Sequence, residues 1–123
     1  MPSIIHRSSD EQANYLPLGK RTTVIGRSES LPMQILDNKV SRKHLRIRYD
    51  EGTGRYLASD MESRHGVFVN GRQITEETEL NEGDTVRIGT SELLFTQEDF
   101  DDAQSALHFY KKTGERDRPT FID

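Results

Sequence analysis

The 123-residue chain contains no cysteine and no tryptophan. Without cysteine it can have no disulfide framework, no thiolate zinc site and no thiol nucleophile. Apolar residues are scarce at 32%, about level with the 31% that are charged, so a thin core with polar loops is expected. No apolar run is long enough to cross a bilayer, and the first residues lack a charged-then-apolar leader. The expectation is a soluble, cytoplasmic protein with no membrane partner. A net charge of -4 weighs against a protein that coats nucleic acid. The four histidines, His6, His44, His65 and His108, are scattered without the close spacing of a metal pair. No metal site and no cofactor are therefore expected.

What the chain does have is a succession of short strand-like runs broken by turn residues. Leu45, Ile47 and Tyr49 alternate with Arg46 and Arg48, which predicts a half-buried strand beginning at or just after His44. Residues 21–25 form another run, ending at Gly26, and Met33-Gln34-Ile35-Leu36 a brief one. Asp50-Glu51-Gly52-Thr53-Gly54 reads as a hairpin turn into a returning strand at 55–60. Gly66-Val67-Phe68-Val69 favours a strand by its β-branched and aromatic content, and Asn70-Gly71 is a strong hairpin dipeptide. Arg72-Gln73-Ile74, 85–88 and 92–95 complete the series. Near the N-terminus, 3–6 and 15–18 read as strands joined by the polar turn 8–12.

So many short strands at this spacing predict an all-β sandwich or barrel over residues 1–98. Residues 99–123 change character. Phe100, Ala103, Leu107 and Tyr110 recur at helical spacing, which predicts one amphipathic helix, followed by a charged, proline-broken tail.

Two arginines and a serine stand out, because each opens or closes one of these strands. Arg27 follows the strand-ending Gly26, and Ser41-Arg42-Lys43-His44 leads into the next strand. Guanidinium, hydroxyl and backbone N–H groups on neighbouring loops are what a doubly ionised phosphate requires. The constellation Gly26-Arg27, Ser41-x-x-His44, Ser63-x-x-Gly66 and Asn70-Gly71, in this order and each between strand-like runs, resembles the forkhead-associated (FHA) domain. The likeness covers residues 16–95. It implies an antiparallel FHA/SMAD-like sandwich of about eleven strands with a phosphothreonine-peptide site on loops at one end.

By the same resemblance, Arg27 clamps the phosphate, Ser41 donates its hydroxyl to it, and Arg42 adds charge from the same loop. His44 is structural, bracing the loops, and Gly26, Gly66, Asn70 and Gly71 serve the geometry of the site. The sequence departs from the family pattern at two positions. His65 stands where such domains usually carry the asparagine that reads the peptide backbone, and Val67 replaces the usual threonine. Arg64 occupies a slot where a small polar residue is common and would recruit further phosphate charge. The partners implied are a phosphothreonine-containing protein and an upstream Ser/Thr kinase.

Plainer uses compete with these. Alone, Arg27 is a solvated surface arginine and Ser41 a turn cap. Ser41 and His44 invite a hydrolase reading, but Ser-x-x-His is not a nucleophile elbow and no orienting carboxylate is identifiable. Arg42, Lys43, Arg46 and Arg48 form a candidate nucleic-acid patch without the aromatic platform that base stacking needs. His65 and Val67 favour a second class, an FHA-like scaffold that binds partners without phosphate. Thr120, with Asp123 three residues on, is a candidate ligand for the chain's own pocket after kinase action.

Phosphothreonine offers roughly -1.5 to -2 charges and three acceptor oxygens. Hydrogen bonds to charged groups contribute about 1.5–3 kcal/mol each. Three of them supply much of the roughly 8 kcal/mol of a micromolar site. Aspartate has less charge and fewer acceptors, so a peptide with Asp in place of phosphothreonine should bind poorly in a calorimetric titration. Equal affinities would contradict a dianion site.

Overall fold

The structure, a computed structural model, describes residues 2–7 and 13–97. The turn expected at 8–12, the helix and tail expected at 99–123 and Thr120 lie outside the described residues. The eleven described strands are β1 (Ser3–Arg7), β2 (Ala13–Pro17), β3 (Thr23–Gly26), β4 (Met33–Gln34), β5 (Leu45–Asp50), β6 (Arg55–Asp60), β7 (Val67–Val69), β8 (Arg72–Gln73), β9 (Thr78–Leu80), β10 (Thr85–Ile88) and β11 (Ser91–Thr96). They form a six-stranded sheet ordered β2-β1-β11-β10-β7-β8 and a five-stranded sheet ordered β4-β3-β5-β6-β9. The two-sheet, all-strand architecture agrees with the expected sandwich.

The alternation read at β5 holds. Leu45 and Ile47 are fully buried, and Arg46 and Arg48 stay partly exposed on the other face. Both sheets contribute to one core, with Ile25, Leu45, Ile47, Tyr56 and Ala58 from one and Ile4, Val67, Val86, Ile88, Leu93 and Phe95 from the other. Tyr49, Tyr56 and Phe95 form an aromatic chain with centroid separations of 5.1 and 5.9 Å. The Tyr56 hydroxyl donates to the Gly19 carbonyl at 2.6 Å, so its buried ring leaves no orphaned polar group.

Two details were not readable from the sequence. β4 pairs with β3 in parallel (Ile25 with Met33, Gly26 with Gln34), so the second sheet is not purely antiparallel. This pairing is two residues long and lies at a sheet edge, where the Ile35 amide also reaches the Gly26 carbonyl at 2.8 Å. β9 is a three-residue edge strand, Thr-Glu-Leu, with no alternating pattern of its own. Its extended form follows from pairing with β6, which sets Leu80 opposite Tyr56.

Register decides where the loops emerge. Ile25 faces Leu45 and Leu45 faces Asp60, so the end of β3, the start of β5 and the end of β6 form one row. In the other sheet Ile88 faces Val67, which brings the start of β7 and the β10–β11 turn to a common edge.

Phe95 is fully buried and closes the aromatic chain between the sheets. Phe95→Ala should cost about 3–5 kcal/mol in urea unfolding followed by circular dichroism. An unchanged midpoint would mean that the sheets do not share this core.

Candidate functional site

The row of strand ends carries the residues singled out above. His44 is fully buried and connects two of the loops. The Ser41 amide donates to its Nδ1 at 3.0 Å, so that nitrogen bears no proton. The proton lies on Nε2, which donates to the Gly66 carbonyl at 2.7 Å. His44 is also held along its backbone, its amide to the Ile25 carbonyl at 3.1 Å and its carbonyl to the Met61 amide at 3.0 Å.

Gly26 explains why the Ser41 loop lies so close to β3. A Cβ there would collide with the Arg42 carbonyl and lie 2.8 Å from the Ser41 carbonyl oxygen. With no side chain in the way, the amides of Arg27 and Ser28 donate to the carbonyls of Ser41 (2.9 Å) and Arg42 (3.2 Å). The Arg27 guanidinium is anchored as well, with Nε donating to the Val40 carbonyl at 2.9 Å. This leaves its two terminal nitrogens for a ligand, and the residue is exposed.

The loop after β6 supplies the opposite wall. Asp60 accepts from the Ser63 amide at 3.0 Å, and the Ser63 hydroxyl accepts from the Gly66 amide at 2.9 Å. Glu62 sits at φ +56°, an uncommon conformation for a residue with a side chain, and Gly66 at φ +84°. The loop so shaped directs the Arg64 amide to the Ser41 hydroxyl oxygen at 3.2 Å. As an acceptor from Arg64, Ser41 keeps its own O–H free to donate outward. His65, next in the loop, is exposed, whereas Val67 is buried in the core.

Arg27, Ser41, Arg42 and Arg64 thus meet on one rim through direct hydrogen bonds, with Gly26, His44 and Gly66 beneath them. Asn70 and Gly71 lie elsewhere, at the far end of β7. Asn70 takes φ +52°, its amide nitrogens donate to the Thr85 carbonyl (2.8 Å) and to Asp84 (2.9 Å), and its side-chain oxygen accepts from the Thr85 amide (3.0 Å). The pair fastens the β7–β8 turn to β10.

Residues 23–89 match the sequence profile of the FHA domain family. The chain belongs to that family. It is 32% identical over 92 residues to the FHA domain-containing protein FhaA from Mycobacterium tuberculosis, a match that covers 75% of this chain and 17% of FhaA. The chain spans less than two thirds of the length of the curated relatives it matches. In structure it is similar to the FhaA FHA domain complexed with the intracellular domain of Rv3910 (28% identity, TM-score 0.68, covering 77% of this chain and 99% of that one). It is also similar to an FHA domain described for phosphothreonine-dependent interactions (27% identity, TM-score 0.67, covering 80% and 98%).

The FHA domain holds its rim through one more residue, Asp37, which the sequence showed only as turn chemistry. Its Oδ1 accepts from the Lys39 amide (2.9 Å), and its Oδ2 from the Thr90 amide (2.8 Å), the Thr90 hydroxyl (2.6 Å) and the Ser91 hydroxyl (3.0 Å). These bonds tie the Val40–Ser41 segment to the β10–β11 turn. Burial pushes the Asp37 carboxyl up, but the hydrogen bonds from Thr90, Lys39 and Ser91 outweigh it and bring it down to about 2. Thr90 lies 53 residues away, so no local pattern announces the pair. Among the described residues no group of three or more His, Asp or Glu side chains could hold a metal ion. No helix among them is long and apolar enough to cross a membrane.

Gly26→Ala must displace the Arg42 backbone. It should cost about 1–3 kcal/mol of stability, measured by urea unfolding; an unaltered midpoint would show that the two loops separate freely. Asp37 contributes to stability while it is ionised in the fold. Its contribution is complete above 3.8, the ordinary value, and is lost as pH falls towards about 2. The wild-type minus Asp37→Asn difference in unfolding midpoint should shrink over that interval. A constant difference would mean that the latch does not depend on charge.

Proposed function

We propose that the chain is a phosphothreonine-peptide-binding module that joins a partner protein after a Ser/Thr kinase has acted, a signalling role without catalysis. The observation that carries this reading is the joint placement of Arg27 and Ser41. Neighbouring backbone bonds hold the two residues side by side, the guanidinium is anchored through Nε, and the serine hydroxyl already accepts a bond from Arg64. A phosphate between them would meet two guanidinium N–H groups and one O–H. Arg42 and Arg64 add charge on either side, and His65 is the exposed group available to the peptide backbone.

Membership of the FHA family supports the reading, because FHA domains are binding modules. The neighbour described for phosphothreonine-dependent interactions and the FhaA complex with an intracellular partner domain point the same way. A phosphate-independent scaffold is the competing use, favoured by His65 in place of asparagine. The burial of Val67 bears on that comparison, since its side chain fills the core and leaves the rim to His65.

A degenerate peptide library built around phosphothreonine, set against the same library with plain threonine, separates the two. Phosphorylated peptides should be retained selectively. Arg27→Ala and Ser41→Ala should each lose about tenfold to a hundredfold in affinity, as removal of about 1.5–3 kcal/mol per charge-assisted bond requires. Equal retention of both libraries, or full affinity in both variants, would refute it.

A further inference from the structure

Most arginines on the sheet faces have partners built into the fold. Arg48 is held by both oxygens of Glu77 at 2.8 Å, Arg46 reaches the same carboxylate at 3.7 Å, and Arg55 reaches Glu79 at 3.0 Å. Arg87 lies 4.4 Å above the Phe68 ring. The rim loops differ. Arg42, Lys43 and Arg64 are exposed, and among the described residues no ion pair or side-chain hydrogen bond engages any of the three. Lys20, Arg21, Lys39 and Arg72 also lack a side-chain partner among the described residues. The first two precede β3, away from its Gly26 end, Arg72 belongs to the edge strand β8, and Lys39 lies before Val40 in the loop that Asp37 ties to the β10–β11 turn.

The three rim cations border a position that is already arranged for a dianion. Arg64 places its amide on the Ser41 hydroxyl, so its side chain branches from the Cα next to that contact. Arg42 follows Ser41 directly, with its carbonyl held by Ser28, and Lys43 comes next. The acids on the same loops form no ion pair with them. Asp37 is turned to Thr90, Ser91 and the Lys39 amide, and neither Glu29 nor Glu62 forms an ion pair there. Arg27 and the Ser41 hydroxyl face the first phosphate, and Arg42, Lys43 and Arg64 stand outside that pair, so a group of roughly two charges does not use all four cations. These cations face solvent without an ion-pair partner among the described residues, in a chain whose net charge is -4.

We infer that Arg42, Lys43 and Arg64 form a second anion seat beside the first, and that its ligand is a second phosphorylated residue of the same peptide. The inference rests on the phosphothreonine reading above. Phosphate is favoured over a carboxylate because it brings more charge and more acceptors to two planar guanidinium forks. One peptide is favoured over two because a tethered second group arrives at high effective concentration.

The test uses the full 123-residue chain and fluorescein-labelled peptides read by fluorescence anisotropy. One set carries phosphothreonine in neutral degenerate flanks. A second adds phosphoserine at each of four positions on either side in turn, and a third places glutamate there instead. In at least one register the doubly phosphorylated set should bind about tenfold tighter or more, an advantage that shrinks as salt rises from about 0.05 to about 0.5 M. In Arg64→Ala, shown to be folded by circular dichroism, the ratio of the two affinities should collapse towards one. Arg64→Lys should keep part of it.

The second seat is overturned if the single phosphothreonine binds in an Arg27-dependent way yet no register gains, if glutamate matches phosphoserine, or if the ratio survives in Arg64→Ala. If the single phosphothreonine itself fails to bind, the phosphothreonine reading fails first and the second seat falls with it.

Discussion

The imidazole of His44 is the contact on which the rim depends. It accepts from the Ser41 amide on one side and donates to the Gly66 carbonyl on the other, so one neutral ring fixes the separation of two loops. Both ring nitrogens are engaged, and the residue has no exposed surface. A buried imidazole with either partner missing would leave a polar group unsatisfied, which costs about 1–3 kcal/mol. The same ring that satisfies itself therefore holds Ser41 and the loop bearing Arg64 in register.

Around that contact the candidate site is held by bonds of the fold itself. Arg27 is anchored through Nε, Ser41 through its amide and its hydroxyl oxygen, and Arg64 through its amide. On the proposed reading a phosphate would meet Arg27 and Ser41 side chains that the fold already holds, which is how pre-organisation raises affinity without adding contacts. Asp37 shows how an acid can sit in a loop of such a site. Four donors converge on its two oxygens, so its charge is spent on holding the loop to the β10–β11 turn.

Local pattern disclosed a good part of this. The alternation from Leu45 to Tyr49 located β5 and its buried face, and Asn70-Gly71 located a turn whose residues both take positive φ. Glycine after a strand marked Gly26, although the crowding that requires it comes from Arg42, sixteen positions on. What stayed hidden was non-local. β9 has no pattern of its own, β4 joins β3 in parallel, and the Asp37–Thr90 pair spans 53 residues. Asn70 showed its turn chemistry plainly, but only its bonds to Asp84 and Thr85 place it away from the rim.

The order of residue types along the chain determined the strands, the turns and which side chains can answer a phosphate, because these follow from short-range sterics and from the chemistry of each group. Whether those groups meet was decided by the register of β3, β5 and β6, which lines up Ile25, Leu45 and Asp60 and so sends three loops off one edge. Register is a property of paired strands and of the core they share, and no single stretch of sequence contains it.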